Sequence, residues 1–129
     1  SRYGNIVQRF TEQKFDGAFL GSFTGALAIS QLGVEPLARP VNDDGTSTYF
    51  GYIFVRRDSG IKTAADMRGK TFAFVERATT AGYIFPLAFL RRGRVGDIDR
   101  FLAGYFFTGS HDAAIDSVLA GRAQVGAAK

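Results

Sequence analysis

Apolar and polar positions alternate along the chain in blocks that switch between a helical and an extended period. In residues 3–14 the apolar residues Ile6, Val7 and Phe10 recur at a helical spacing, which predicts a first helix. Runs rich in aromatic, β-branched or small apolar residues predict strands at residues 15–20, 49–56, 71–75, 104–108 and 123–128. Further helices are predicted at residues 22–32, 63–67, 80–90, 97–102 and 111–119. This alternation predicts an α/β fold with a largely parallel sheet.

Turn and cap residues mark the ends of these elements. Ser22 and Ser110 are candidate helix caps, and Gly33 and Gly121 are candidate helix stops. Residues 34–41 contain two prolines, so this segment is interpreted as an edge strand or a connector.

Composition excludes several kinds of site. The chain has 129 residues, of which 46% are hydrophobic, enough for one compact domain with a real core. It has no cysteine, which rules out disulfides and thiolate metal sites. The single histidine, His111, has no companion at metal-ligand spacing. Neither a metal nor another cofactor is therefore expected.

Charge favours an anionic partner without requiring one. The net charge is +4, and the basic residues are scattered, as on a solvated face. A nucleic-acid-binding module stays open as an alternative, because residues 105–107 are aromatic and the pI is about 9.7. Stacking on bases needs exposed aromatic rings beside a basic stripe, whereas these residues are expected in a buried strand.

Catalytic patterns are lacking, so no catalytic residue is predicted. Ser110, His111 and Asp112 have the residue types of a hydrolase triad, but a triad is built from distant positions. Three consecutive helical residues point in different directions, and a capped helix start explains them better. No glycine-rich nucleotide-binding loop is present either.

Hydrogen-bond donors gather where helices begin. Thr79, Thr80 and Ala81 follow the strand at residues 71–75, and the next residue, Gly82, leaves room for an anion near the backbone. The alternative is that one threonine simply caps the helix. Tyr3, Tyr49 and His111 also open predicted elements, although on local sequence alone packing is the more ordinary explanation for such residues. Strand ends and helix starts share one edge of an α/β sheet, where ligands bind.

Several stretches together resemble the phosphonate-binding periplasmic proteins, the solute-binding subunits of phosphonate, phosphite and related ABC importers. The resemblance rests on residues 15–21, 49–61, 66–74, 79–86 and 109–114, and it extends over nearly the whole chain in the family's order. It implies a type II periplasmic-binding-protein-like fold, in which two α/β lobes close on a ligand. It also implies an extracytoplasmic location, a membrane permease as partner and no enzymatic activity.

The resemblance also implies a ligand site. The family's Ser-Thr-Ser-Gly turn matches Thr79, Thr80, Ala81 and the glycine that follows, and the family's histidine matches His111. Two ligand-binding tyrosines of the family match Tyr3 and Tyr49. The chain departs from this pattern at Thr79, which keeps a hydroxyl, and at Ala81, which leaves only a backbone N–H donor.

The resemblance further divides the chain into a partial first lobe, residues 1–45, and a nearly complete second lobe, residues 46–129. The chain is accordingly expected to be part of a longer protein and to self-associate when isolated. The expected ligand is a small phosphonate, phosphite or phosphate anion. An enzyme on the same fold is the other alternative, because one fold hosts many functions.

Overall fold

A computed structural model describes residues 6–93 and 95–129 of the chain. The regular elements are the helices α1 (Ile6–Glu12), α2 (Ser22–Leu32), α3 (Phe85–Arg92), α4 (Ile98–Phe101) and α5 (His111–Leu119), and the strands β1 (Tyr52–Val55), β2 (Thr71–Phe74), β3 (Gly104–Phe107) and β4 (Val125–Ala128). A 3-10 turn, Ala65–Met67, precedes β2, and a π-helical turn, Thr80–Ile84, leads directly into α3.

The four strands form one mixed sheet in the order β1-β4-β2-β3. Strand β2 is parallel to both β3 and β4, whereas β1 runs antiparallel to β4. The predicted α/β class with a largely parallel sheet is therefore confirmed. The carboxyl ends of β2, β3 and β4 meet the amino end of β1 at one edge of the sheet.

Side chains of successive strand residues point to opposite faces, and this alternation divides the core. On β2, Phe72 and Phe74 are fully buried and pack with Leu90 of α3. Ala73 points to the other face, where it packs with Val118 of α5. Helices therefore cover both faces of the sheet.

A glycine on β4 allows α5 to approach the sheet. A Cβ atom at Gly126 would lie 2.6 Å from Phe54 and 2.9 Å from Val118. Only a residue without a side chain fits between these two groups.

One of the predicted strands is absent. Residues 15–20 have no strand, and Phe19 is 87% exposed. An extended segment becomes a strand only when a neighbouring strand accepts its backbone hydrogen bonds, and every strand of the described residues lies within residues 52–128. Residues 34–41 form a connector, which was one of the two interpretations of their prolines.

The predicted helix ends are mostly confirmed. Ser110 caps α5, since its hydroxyl accepts a hydrogen bond from the Ala113 N–H at 3.2 Å. Gly33 ends α2 in the left-handed conformation, with φ of 66°. Ser22 is not the cap of α2, because Gly21 occupies that position and Ser22 is the first helical residue.

Residues 105–107 lie in a strand as predicted, but the prediction that this strand is buried is wrong. Strand β3 is an outermost strand of the sheet, with a neighbouring strand on one side only, and its residues are half-buried. Tyr105 and Phe107 nevertheless pack against Phe74 rather than presenting a free stacking surface.

Candidate functional site

One edge of the sheet gathers most of the candidate ligand-binding residues. Tyr49 precedes β1, Thr79 to Ala81 follow β2, and His111 follows β3. These positions lie on the same edge because β1 runs against the other three strands. Tyr3 lies outside the described residues.

Thr79 shapes the turn that leaves β2. The residue is buried, and its hydroxyl donates to the carbonyl of Glu76 at 2.6 Å. The same oxygen accepts a longer bond, 3.4 Å, from the Glu76 N–H. The hydroxyl proton is thus directed into the turn and is not offered to the sheet edge in this conformation.

Neither threonine caps the helix that follows. Thr79 is the N-cap residue of the π-helical turn, but its side chain makes no capping hydrogen bond. The first N–H groups of a helix lack intrahelical acceptors and carry a partial positive charge. The alternative prediction that one of these threonines simply caps the helix is therefore wrong.

The hydroxyl of Thr80 faces a second helix start. Its oxygen accepts a hydrogen bond from the backbone N–H of Phe23, in the first turn of α2, at 3.1 Å. Among the described residues, the Thr80 hydroxyl proton has no acceptor of its own. A hydroxyl that accepts one bond while keeping its proton free is a good donor to an anion.

Small residues allow the turn to pack closely against the sheet. The methyl group of Ala81 is buried close to Gly51, where a Cβ atom would lie only 3.0 Å away. A Cβ at Gly82 would lie 2.5 Å from Val75 and 2.8 Å from the Thr79 hydroxyl. The backbone therefore runs close to the sheet edge, and Ala81 can contribute only its N–H group.

The start of α2 has no capping side chain of its own. Its N-cap residue, Gly21, has no side chain to cap the helix. The hydroxyl of Ser22 lies 3.1 Å from the hydroxyl of Tyr49, and either of these two groups can donate to the other. One hydroxyl proton of the pair therefore has no acceptor among the described residues.

His111 is held by the residue that ends the neighbouring strand. Its Nδ1 atom accepts a hydrogen bond from the backbone N–H of Lys129 at 3.0 Å. In a neutral imidazole the proton then sits on Nε2, which becomes a donor. Partial burial, followed by the charge of Lys129, lowers the pKa of His111 from its ordinary 6.5, and Asp112 opposes this only in part.

The ammonium group of Lys129 completes the cluster. It lies 4.7 Å from the centre of the Tyr49 ring, a cation–π distance. Contacts thus run without a break from Thr80 through Phe23, Ser22 and Tyr49 to Lys129 and on to His111.

Sequence reasoning missed three of these groups. The N–H of Phe23 and the hydroxyl of Ser22 lie at the start of α2, where the sequence indicates only that Ser22 is a candidate helix cap. Lys129 follows β4, and the rule that ligands bind beyond the carboxyl ends of strands was the available signal for it.

The turn after β2 is further tied to the end of β3. The guanidinium carbon of Arg77 lies 4.9 Å from the ring centre of Phe107 and 5.8 Å from that of Tyr83. Its Nη1 atom also donates to the Tyr83 hydroxyl at 3.3 Å. These contacts limit the freedom of the loop that carries Thr79 and Thr80.

The chain matches a known protein family from residue 1 to residue 129. The family model for the periplasmic substrate-binding protein of phosphonate ABC transporters matches residues 1–129. The chain belongs to this family.

Named relatives of this phosphonate-binding family agree. The phosphate-import protein PhnD of Mycolicibacterium smegmatis is 28% identical over 98% of this chain, which covers 42% of that protein. The phosphonates-binding periplasmic protein of Escherichia coli is 27% identical over 65% of this chain and 26% of its own length. The chain therefore spans less than half the length of these curated relatives.

Solved structures show the same fold. A binding protein component of an ABC phosphonate transporter from Pseudomonas aeruginosa matches with a TM-score of 0.83 at 23% identity, over 98% of this chain and 43% of that one. PhnD1 from Prochlorococcus marinus, in complex with methylphosphonate, matches with a TM-score of 0.67 at 21% identity, over 98% and 48%. These matches confirm the type II periplasmic-binding-protein-like fold.

Two kinds of feature are absent from the described residues. No helix within residues 6–93 and 95–129 is long and apolar enough to cross a membrane. Across the same residues, no three histidine or carboxylate side chains come together as metal ligands would.

Proposed function

We propose that this chain is the ligand-binding part of a solute-binding protein that captures a small phosphonate, phosphite or phosphate anion. The observation that carries the proposal is the meeting of two helix starts, α2 and the turn before α3, at one sheet edge, where neither N-cap residue makes a capping hydrogen bond of its own. Each helix start offers N–H donors and a partial positive charge, which together favour an oxyanion.

The side chains divide the work of binding. The Thr80 hydroxyl and the Ala81 N–H act as donors from the β2 turn, while the Tyr49 hydroxyl and His111 Nε2 act from the neighbouring strands. Thr79 contributes by holding the turn in shape through Glu76. Tyr3, which the family resemblance assigns to the site, supplies a further hydroxyl.

Family membership supports a biological setting for this proposal. We place the protein outside the cytoplasm, where it delivers its ligand to the membrane permease of an ABC importer or serves as a sensor domain. Residues 1–45 belong to the first lobe and residues 46–129 to the second, so that Phe23 and Thr80 approach each other from different lobes.

An enzyme on this fold is less well supported. The named relatives are binding proteins of ABC transporters. His111 has its Nδ1 atom engaged by a backbone N–H, and the Ser110 hydroxyl caps α5, so this pair does not form a nucleophile and its base. Binding without turnover is the function that these groups can perform.

A nucleic-acid-binding module has still less support. The rings of Tyr105 and Phe107 pack on Phe74, and Phe107 also lies against the Arg77 guanidinium, so these two rings are not free to stack on bases.

Amide chemical shifts during a ligand titration test the proposal. We expect methylphosphonate or inorganic phosphate to shift the amide signals of Phe23, Thr80 and Ala81 in the 129-residue chain, even at millimolar affinity. The signals around Lys62, in the connection between β1 and β2 at the opposite sheet edge, serve as the internal control. Equal shifts at both edges, or none at either, would contradict a specific oxyanion site.

A further inference from the structure

Lys129 stands at the centre of the ligand-facing edge. It follows β4, which lies between β1 and β2 in the sheet. Its ammonium rests against the face of the Tyr49 ring, and the side chain is exposed. Among the described residues, no carboxylate lies within ion-pair distance of this ammonium, so its charge is not neutralised by a neighbour.

The backbone of the same residue controls His111. The Lys129 N–H donates to His111 Nδ1 at 3.0 Å, which leaves Nε2 as the protonated nitrogen of a neutral ring. A metal-free imidazole fixed in one tautomer by a backbone donor is a neutral hydrogen-bond donor with a defined direction.

We propose that Lys129 is the charge-determining residue of the anion site: its ammonium supplies the positive charge for the ligand, while its backbone N–H fixes His111 as a neutral donor. This inference rests on the proposed oxyanion-binding function and assigns how the site divides charge from hydrogen bonding. With the Lys129 ammonium as the positive charge, the site should favour doubly charged oxyanions over singly charged ones of similar shape.

The surrounding ionisable groups are consistent with this division. Within residues 6–93 and 95–129, the charged side chains that act on His111 are Lys129, on the strand end beside it, and Asp112, on its own helix. Tyr49 lies beneath the ammonium, with its ring centre 4.7 Å from the nitrogen. Of these groups only Lys129 brings a positive charge at neutral pH.

A pair of lysine substitutions tests the charge. Lys129→Met keeps the backbone N–H and removes the ammonium, and we expect it to weaken inorganic phosphate binding about fivefold, the upper end for an exposed ion pair. Lys129→Arg should restore most of the affinity. Lys62→Met changes the net charge equally at the opposite edge and should alter affinity less than about twofold.

The ligand series separates this inference from the proposed function. In the wild-type chain, phosphate and methylphosphonate titrations establish whether an oxyanion binds at all. If they bind and Lys129→Met and Lys62→Met have equal effects, the charge assignment to Lys129 is overturned while the function stands. If neither anion binds the wild-type chain, the function itself fails.

The imidazole nitrogens test the second half of the inference. We expect nitrogen chemical shifts that place the His111 proton on Nε2 at neutral pH, both in the wild-type chain and in Lys129→Met. Lys129→Pro removes the backbone N–H and should yield a mixture of tautomers. A proton found on Nδ1 in the wild-type chain would refute the role of the backbone donor.

Discussion

The Thr80 hydroxyl shows how one side chain serves two elements. It accepts from the Phe23 N–H of α2 and keeps its proton for a ligand. We expect Thr80→Val, which keeps the shape, to weaken methylphosphonate binding by about 1.5–3 kcal/mol, the usual worth of a hydrogen bond to a charged group. Titration calorimetry or amide shifts measure the change.

Thr80→Ser is the matched control, since it retains the hydroxyl and should bind nearly as well as the wild-type chain. Equal affinity of the valine variant and the wild-type chain, with the fold intact, would remove this hydroxyl from the site.

The protonation of His111 affects stability in a definite direction. Its pKa is lowered in the folded chain, because the charged ring is partly desolvated and lies near Lys129. The unfolded chain therefore binds the proton more readily. This contribution to stability is fully present above the ordinary pKa of about 6.5 and is lost as pH falls from there toward the lowered value.

Urea unfolding between about pH 8 and pH 5 should accordingly show a small loss of stability that His111→Asn lacks. Ligand affinity, corrected for the ligand's own ionisation, should stay constant above about pH 7, since the neutral ring is the donor. An affinity that falls as pH rises from about 5 to about 8 would show that the imidazolium, not the neutral ring, binds the ligand.

At the scale of elements, the turn between β2 and α3 depends on close packing at Gly82. A Cβ atom there would collide with Val75 and with the Thr79 hydroxyl that forms the turn. We expect Gly82→Ala to lower the free energy of unfolding by about 1–3 kcal/mol, as overpacking does. It should also weaken anion binding, because the turn that presents Thr80 must shift.

Gly96→Ala is the matched control, because a Cβ at Gly96 meets nothing within 4 Å and no unusual backbone angle is required there. Its unfolding free energy should change by less than about 0.5 kcal/mol. Urea midpoints that are equal for the two variants would show that the turn adapts without cost.

At the scale of the whole molecule, the two parts of the chain are buried very differently. Among the described residues 6–48, only Thr24 and Ala28 are buried, while Phe19 is 87% exposed and Leu37 is 90% exposed. Exposed apolar patches and open sheet edges tend to associate with other chains. This pattern fits the proposed division into a partial first lobe and a nearly complete second lobe.

We therefore expect the isolated 129-residue chain to form dimers or larger species and to bind phosphonate only weakly, since closure of two complete lobes normally provides the affinity. Light scattering with a parallel ligand titration measures both properties. The double variant Phe19→Ser with Leu37→Asn should reduce association. A monodisperse wild-type monomer with micromolar affinity would contradict a lobe boundary near residue 45.

The sequence by itself determined the α/β class, most helix and strand positions, and the turn at Thr79 to Ala81. These features depend on local periodicity, on caps such as Ser110 and on the glycine stop at Gly33, all of which are encoded within a few residues. The tertiary structure decided that residues 15–20 are not a strand, because strand formation needs a partner chain segment. It also decided which helix starts meet and which residue faces His111, since the Phe23–Thr80 and Lys129–His111 contacts join positions that only the sheet order brings together.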